Sequence, residues 1–188
     1  MSEPDGTTVP PPASPTHRLF FAVWPATGVR DSLAASVSRL PPGSGRLQRP
    51  DQWHMTLEFL GAVPQDRLGR VLEAGAAAAA AGTPCEVIFD AVEYWRRPQV
   101  LCLTARETPG ELSGLVRSLR EELRARGFEA ERREFRAHLT LARKVSRPPA
   151  GLSLRPLHWP VVDLALVESI TDRSGARYEQ RAAWPVAG

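Results

Sequence analysis

The chain has 188 residues, enough for one domain or two small, closely packed lobes with a sizeable core. Apolar residues make up 43% and charged residues 24%, as in a globular chain, and there is no apolar run long enough for a transmembrane helix. The net charge of +3 comes almost wholly from arginine, Lys144 being the only lysine, and so small an excess excludes an argument for nucleic-acid binding from charge alone.

Residues 1–16 are rich in Pro, Thr and Ser, with no basic start and no apolar centre. They are expected to be a disordered leader and not a secretion signal, which points to a cytoplasmic protein with its single domain over residues 17–188. His17 is read as the edge of that leader. Arg18–Val23 (R-L-F-F-A-V) predicts a buried strand that stops at Trp24-Pro25. Val29, Leu33, Val37 and Leu40 recur at helical spacing, and Pro41-Pro42-Gly43 ends that helix. Trp53–Leu60 predicts a second strand, closed by Gly61. Residues 66–81 predict an alanine-rich helix ended by Gly82. Glu86–Tyr94 and Gln99–Ala105 predict two strands joined as a hairpin around Arg96-Arg97-Pro98.

The third helix has the clearest start signal. Thr108 is read as its cap, Pro109 as its first residue and Glu111 as the partner in a capping box. Leu112, Leu115, Val116, Leu119 and Leu123 form its buried stripe, and Gly127 ends it. Phe135–Ala142 predicts another strand, residues 147–156 a Pro/Gly-rich loop, and Pro160–Ile170 and Tyr178–Val186 the last strands, with His158 in the loop before them. The mixed order and hairpin-like pairs favour an α+β fold over a doubly wound one. Neither Gly-rich phosphate-binding pattern occurs. Cys85 and Cys102 form no C-x-x-C and are expected to be buried free thiols in a reducing compartment.

Two segments echo each other. Trp53-His54-Met55-Thr56-Leu57 and Ala137-His138-Leu139-Thr140-Leu141 both read His-x-Thr-Leu with an apolar residue at x. Side chains alternate faces along a strand, so His54 and Thr56 share one face and Met55 and Leu57 the other. The same holds for His138 and Thr140 against Leu139 and Leu141. Each strand therefore buries an apolar pair and presents an imidazole beside a hydroxyl. One such pattern is usually an ordinary half-exposed strand; two copies, using two of only four histidines, point to a shared groove between pseudo-symmetric lobes.

With these motifs the chain resembles the 2H phosphoesterase superfamily, and within it the bacterial and archaeal RNA 2′,3′-cyclic phosphodiesterases, also called 2′-5′ RNA ligases. The resemblance runs from about Arg18 to Pro185 and rests on Arg18–Ala22, Trp53–Gly61, Phe135–Arg143 and Arg177-Tyr178-Glu179. It departs at Ala137, where proline is common, and at Glu58, where a basic or neutral residue is common. By strand parity Glu58 would face the groove; its expected place is the solvated end of the strand. The resemblance implies two pseudo-symmetric lobes, each an antiparallel sheet packed with helices, around a central groove.

The expected chemistry follows from the residue types. Opening a 2′,3′-cyclic phosphate needs a base for the attacking water and an acid for the departing ribose oxygen, and imidazoles titrate near neutral pH. His54 and His138 are the expected pair. Thr56 and Thr140 would donate hydrogen bonds to the phosphoryl oxygens. The resemblance adds Arg143, although strict alternation from His138 puts it on the wrong face unless the strand ends, twists or bulges after Ala142. It also implies that His54 is the acid at O3′, that His138 is the base, that the product is a 2′-phosphate, and that 2′-5′ ligation is the reverse reaction. No metal or other cofactor is expected, and the partners are RNA ends bearing the cyclic phosphate, acted on by a monomer without membrane attachment.

Rival readings are a cyclic phosphodiesterase for small nucleotides such as ADP-ribose 1″,2″-cyclic phosphate, a non-catalytic nucleotide- or RNA-binding module, and a metal hydrolase. Phe20, Phe59, Trp95 and Trp159 could stack on a base, but buried core is the expected fate of each.

Overall fold

The computed structural model describes residues 15–147, 152, 154–172 and 175–187. The expected leader falls almost entirely outside them. The first strand, β1 (Thr16–Val23), leads into α1 (Thr27–Val37). Next come the two-residue strand β2 (Arg46–Leu47), β3 (Met55–Pro64) and α2 (Leu68–Ala80). Three strands follow, β4 (Cys85–Phe89), β5 (Ala91–Trp95) and β6 (Val100–Thr104), then α3 (Gly110–Ala125). The chain closes with β7 (His138–Arg143), β8 (Leu157–Val161), β9 (Asp163–Asp172) and β10 (Gly175–Pro185).

Every ladder is antiparallel. One sheet runs β10-β9-β1-β3 and the other β2-β7-β6-β5, with β4 and β8 forming a separate pair. The expected α+β architecture is therefore present, and each of the two larger sheets carries one His-x-Thr-Leu segment. The apolar faces meet in one core that includes Leu19, Phe21, Trp53, Leu103, Leu119 and Trp159. The α3 stripe is buried as its spacing requires. Gly75 lets α2 lie directly on the sheet, since a Cβ there would come within 2.6 Å of the Trp184 ring and 2.7 Å of the Phe21 ring.

Several local expectations are corrected. The run Glu86–Tyr94 is two strands: the chain changes sheets at Asp90, whose backbone N–H bonds the Thr104 carbonyl and whose carboxylate accepts from the Arg106 N–H. His158 lies in β8, with its Nδ1 2.8 Å from the Glu86 carboxylate on the paired strand β4. His17 lies in β1, and Glu168 and Gln65 hold its two ring nitrogens. The N-cap of α3 is Pro109, with no side-chain cap. Thr108 sits one residue too early, and its hydroxyl accepts instead from the Ala137 N–H at 3.3 Å, where the chain enters β7.

Candidate active site

The two motif segments face each other across a slot. His54 stands just before β3 and His138 begins β7, and β3 and β7 lie in contact. A cavity of about 100 Å³ is lined by Gln48, Gln52, His54, Thr56, His138, Thr140 and Arg143. All five side chains expected from the sequence thus converge on one space of phosphate size.

The imidazoles are set in the same way. His54 Nδ1 lies 2.7 Å from the Gln52 carbonyl oxygen, and His138 Nδ1 lies 2.9 Å from the Arg136 carbonyl oxygen. In both cases the partner is two residues upstream. A ring held by an Nδ1–H donated to a carbonyl keeps Nε2 as the nitrogen offered to a ligand. Packing completes the orientation. The His54 ring touches Phe20, Trp24 and Tyr178, with centroids 5.0, 5.1 and 5.1 Å away. The His138 ring lies 4.8 Å from that of Trp95. The Trp95 indole N–H donates to Glu93, which Arg136 also pairs with.

Burial tunes both groups. It pushes His54 down to about 4, with the charges of Arg143 and His138 adding to the effect and the Gln52 carbonyl opposing it. Burial also lowers His138, against the pull of the Arg136 carbonyl. Cys102 pairs with Thr140 across the β6–β7 ladder, but burial pushes its thiol up to about 11, so it offers no thiolate at neutral pH.

Arg143 reaches the slot because β7 bulges. Val100 pairs with Arg143, Leu101 with Ala142, and Cys102 with Thr140, which leaves Leu141 as an extra residue. Leu141 and Ala142 are consecutively buried, and alternation resumes one step out of phase. The reset falls one residue earlier than the sequence reading required. A matching bulge lies in β3: Phe21 pairs with Glu58 and Ala22 with Thr56, leaving Leu57 extra. Both bulges fall on the leucine of His-x-Thr-Leu.

The β3 bulge also corrects the expectation for Glu58. The residue is buried, 3% exposed, at the wall of the neighbouring groove, and its carboxylate accepts from Arg120 Nε at 2.7 Å and from the Glu131 N–H at 2.8 Å. Phe59, expected in the core, is 49% exposed instead, whereas Phe20 and Trp159 are buried as expected. Trp95 is half-buried. Cys102 is buried and Cys85 only partly so.

Sequence reasoning missed Gln48 and Gln52. Gln52 was findable, being the counterpart of Arg136 two residues before the histidine. Gln48 follows a strand of only two residues and leaves no periodic signal. Among the described residues, no group of three or more His, Cys, Asp or Glu is placed to hold a metal ion. None of the helices there is long and apolar enough to cross a membrane.

This duplicated geometry has a counterpart among known proteins. The family model "LigT like Phosphoesterase" matches the chain twice, over residues 23–102 and 103–178, one motif in each match. The chain belongs to this family. Two proteins named RNA 2′,3′-cyclic phosphodiesterase resemble it along most of their length. The one from Escherichia coli is 28% identical over 183 residues, covering 91% of this chain and 97% of its own. The one from Thermus thermophilus is 34% identical over 173 residues, covering 86% of each. The crystal structure of E. coli LigT complexed with 3′-AMP superposes with a TM-score of 0.78 at 25% identity, covering 93% of this chain and all of that one. The two-lobed LigT-like architecture expected from the sequence is the one observed.

Proposed function

We propose that this protein hydrolyses the 2′,3′-cyclic phosphate of an RNA end to a 2′-phosphate, as a monomer and without a metal, with His54 as general acid and His138 as general base. The observation that carries the reading is the pair of equivalently held imidazoles, each beside a threonine, around a cavity of phosphate size. The names of the E. coli and T. thermophilus relatives support the substrate class.

In this mechanism water attacks phosphorus in line and the P–O3′ bond breaks. His138 Nε2 takes the water proton, and the proton on His54 Nε2 goes to O3′. Thr56 and Thr140 hydroxyls donate to the non-bridging oxygens, and Arg143 balances their charge. Burial holds His54 near 4, so before substrate binds it is neutral at pH 7. The anionic phosphate beside it favours the imidazolium and restores the acid. The same groups run in reverse would join a cyclic phosphate end to a 5′-hydroxyl as a 2′-5′ link, a minor direction in water.

The test is hydrolysis of an oligoribonucleotide ending in 2′,3′-cyclic phosphate, in excess chelator, with the product phosphate located. His54→Ala and His138→Ala are each expected to lower kcat by about 10² to 10⁴-fold. No turnover by the wild type, dependence on metal, or activity surviving both substitutions would overturn the mechanism. Faster turnover of ADP-ribose 1″,2″-cyclic phosphate than of the oligonucleotide would move the substrate class to small nucleotides.

A further inference from the structure

The slot opens at both ends, and the ends differ in charge. Beyond Thr56 and His138 lies a groove of about 870 Å³ whose lining holds four arginines and four glutamates. Arg120 and Arg133 are tied there to Glu58 and Glu131. Beyond Gln48, Gln52 and Arg143 lies a hollow of about 470 Å³ lined by Arg18, Arg46, Arg49 and Arg143, with no carboxylate among the described lining residues. Ser169 and Thr171 add hydroxyls to it. The two mouths hold equal numbers of arginines, but only this one holds them without carboxylates in its described lining, so a chain with a net charge of only +3 gathers unbalanced positive charge there.

Arg46 and Arg143 make the case specific. The β2–β7 ladder sets them directly opposite each other. Like charges in that position destabilise a sheet. Among the described residues neither is paired with a carboxylate. The backbone is shaped to bring them together: Gly45 has φ +87, and a Cβ on it would lie 2.6 Å from the Arg143 carbonyl oxygen. Arg18 joins from β1, its guanidinium steadied 4.8 Å from the centre of the Phe59 ring. Arg49 is already paired with Asp51, but the forks of Arg18, Arg46 and Arg143, facing one space with no carboxylate among its described lining residues, suit a phosphate oxyanion.

We propose that this hollow binds the internucleotide phosphate on the 5′ side of the reacting ribose, so that the protein holds the end of an RNA chain in preference to a single nucleotide. The proposal rests on the reading that the terminal phosphate occupies the slot. That phosphate engages Arg143 and its neighbours in the cavity, and the next one along the chain meets Arg46 and Arg18.

The test is calorimetric binding of three ligands: adenosine 2′-phosphate, the diadenosine ApA carrying a terminal 2′-phosphate, and the same dinucleotide with a neutral methylphosphonate linkage. Wild type is compared with the double variant Arg18→Ala, Arg46→Ala. The dinucleotide is expected to bind wild type roughly tenfold or more tightly than the mononucleotide. Its log–log salt slope is expected to be steeper by roughly 0.7, the value for one added contact to a single strand. The neutral linkage and the double variant should each remove the gain. Equal affinity for mono- and dinucleotide in wild type, a gain that survives the neutral linkage, or a gain that survives the double variant would overturn the proposal. Binding needs no turnover, so the two readings fail separately. A dinucleotide preference without hydrolysis of any cyclic phosphate sinks the reaction and keeps the subsite. Hydrolysis without the preference does the reverse.

Discussion

At the scale of single residues, the imidazoles set a pH dependence. In the proposed mechanism the productive free enzyme holds one proton between His54 and His138, and its titration belongs to the pair. Both groups are lowered from 6.5 by burial, His54 to about 4. On that mechanism the kcat/KM profile is expected to fall on the acid side as pH drops through about 4, where both rings become charged, and on the alkaline side as pH rises through a midpoint lying under 6.5, where both become neutral. Activity should decline through neutrality. Arg143→Gln removes one of the charges that lower His54, so it should move the acid limb to higher pH as well as reducing the rate. A rate–pH series on both proteins checks this, and an upper limb above pH 7 would show that burial does not govern the pair.

At the scale of elements, Glu58 ties β3 to α3 and to the segment before β7. Its side chain and that of Arg120 are 2% and 12% exposed, and Arg120 also donates to the Arg133 carbonyl at 2.7 Å. Arg120→Met leaves the Glu58 carboxylate buried with only the Glu131 N–H as partner. The expected cost is about 3–5 kcal/mol, read from denaturant midpoints. A loss under about 1 kcal/mol would mean that water reaches Glu58 once the arginine is gone.

The same elements show what could be read in advance. Period-two alternation placed His54 with Thr56 and His138 with Thr140, and helical periodicity found the α3 stripe, because burial on one face imposes those spacings. Parity failed past Leu57 and Leu141, because a bulge inserts a residue without any marker in the residue types. That one device misassigned Glu58 and made Arg143 look out of reach. The break at Asp90 was invisible for a related reason: both sides of it are strand-like, and only the partner strands differ. β2 was missed because two residues carry no period.

At the scale of the molecule, the lobes are not independent. The apolar core is continuous from Leu19 and Leu57 of one sheet to Leu103 and Leu141 of the other, and α2 packs on α3. A shared core of this kind predicts a single cooperative unfolding transition despite the duplicated architecture. Tryptophan fluorescence and far-UV circular dichroism should trace superimposable denaturant curves. Two separated midpoints would show that each lobe melts on its own.

The paired bulges carry a last consequence. A device with two-fold symmetry has no front and back: it would grip a strand equally well threaded either way, and would cut either ester bond of the ring. Up to each leucine, the two halves of the slot are near copies. Past it they part, and the position five residues after each histidine is Phe59 in one half and Arg143 in the other. One presents a ring to its mouth of the slot and the other a cation. The bulges bring these two unlike side chains to equivalent places, and the directional polymer of the proposed function would meet a machine that is itself directional.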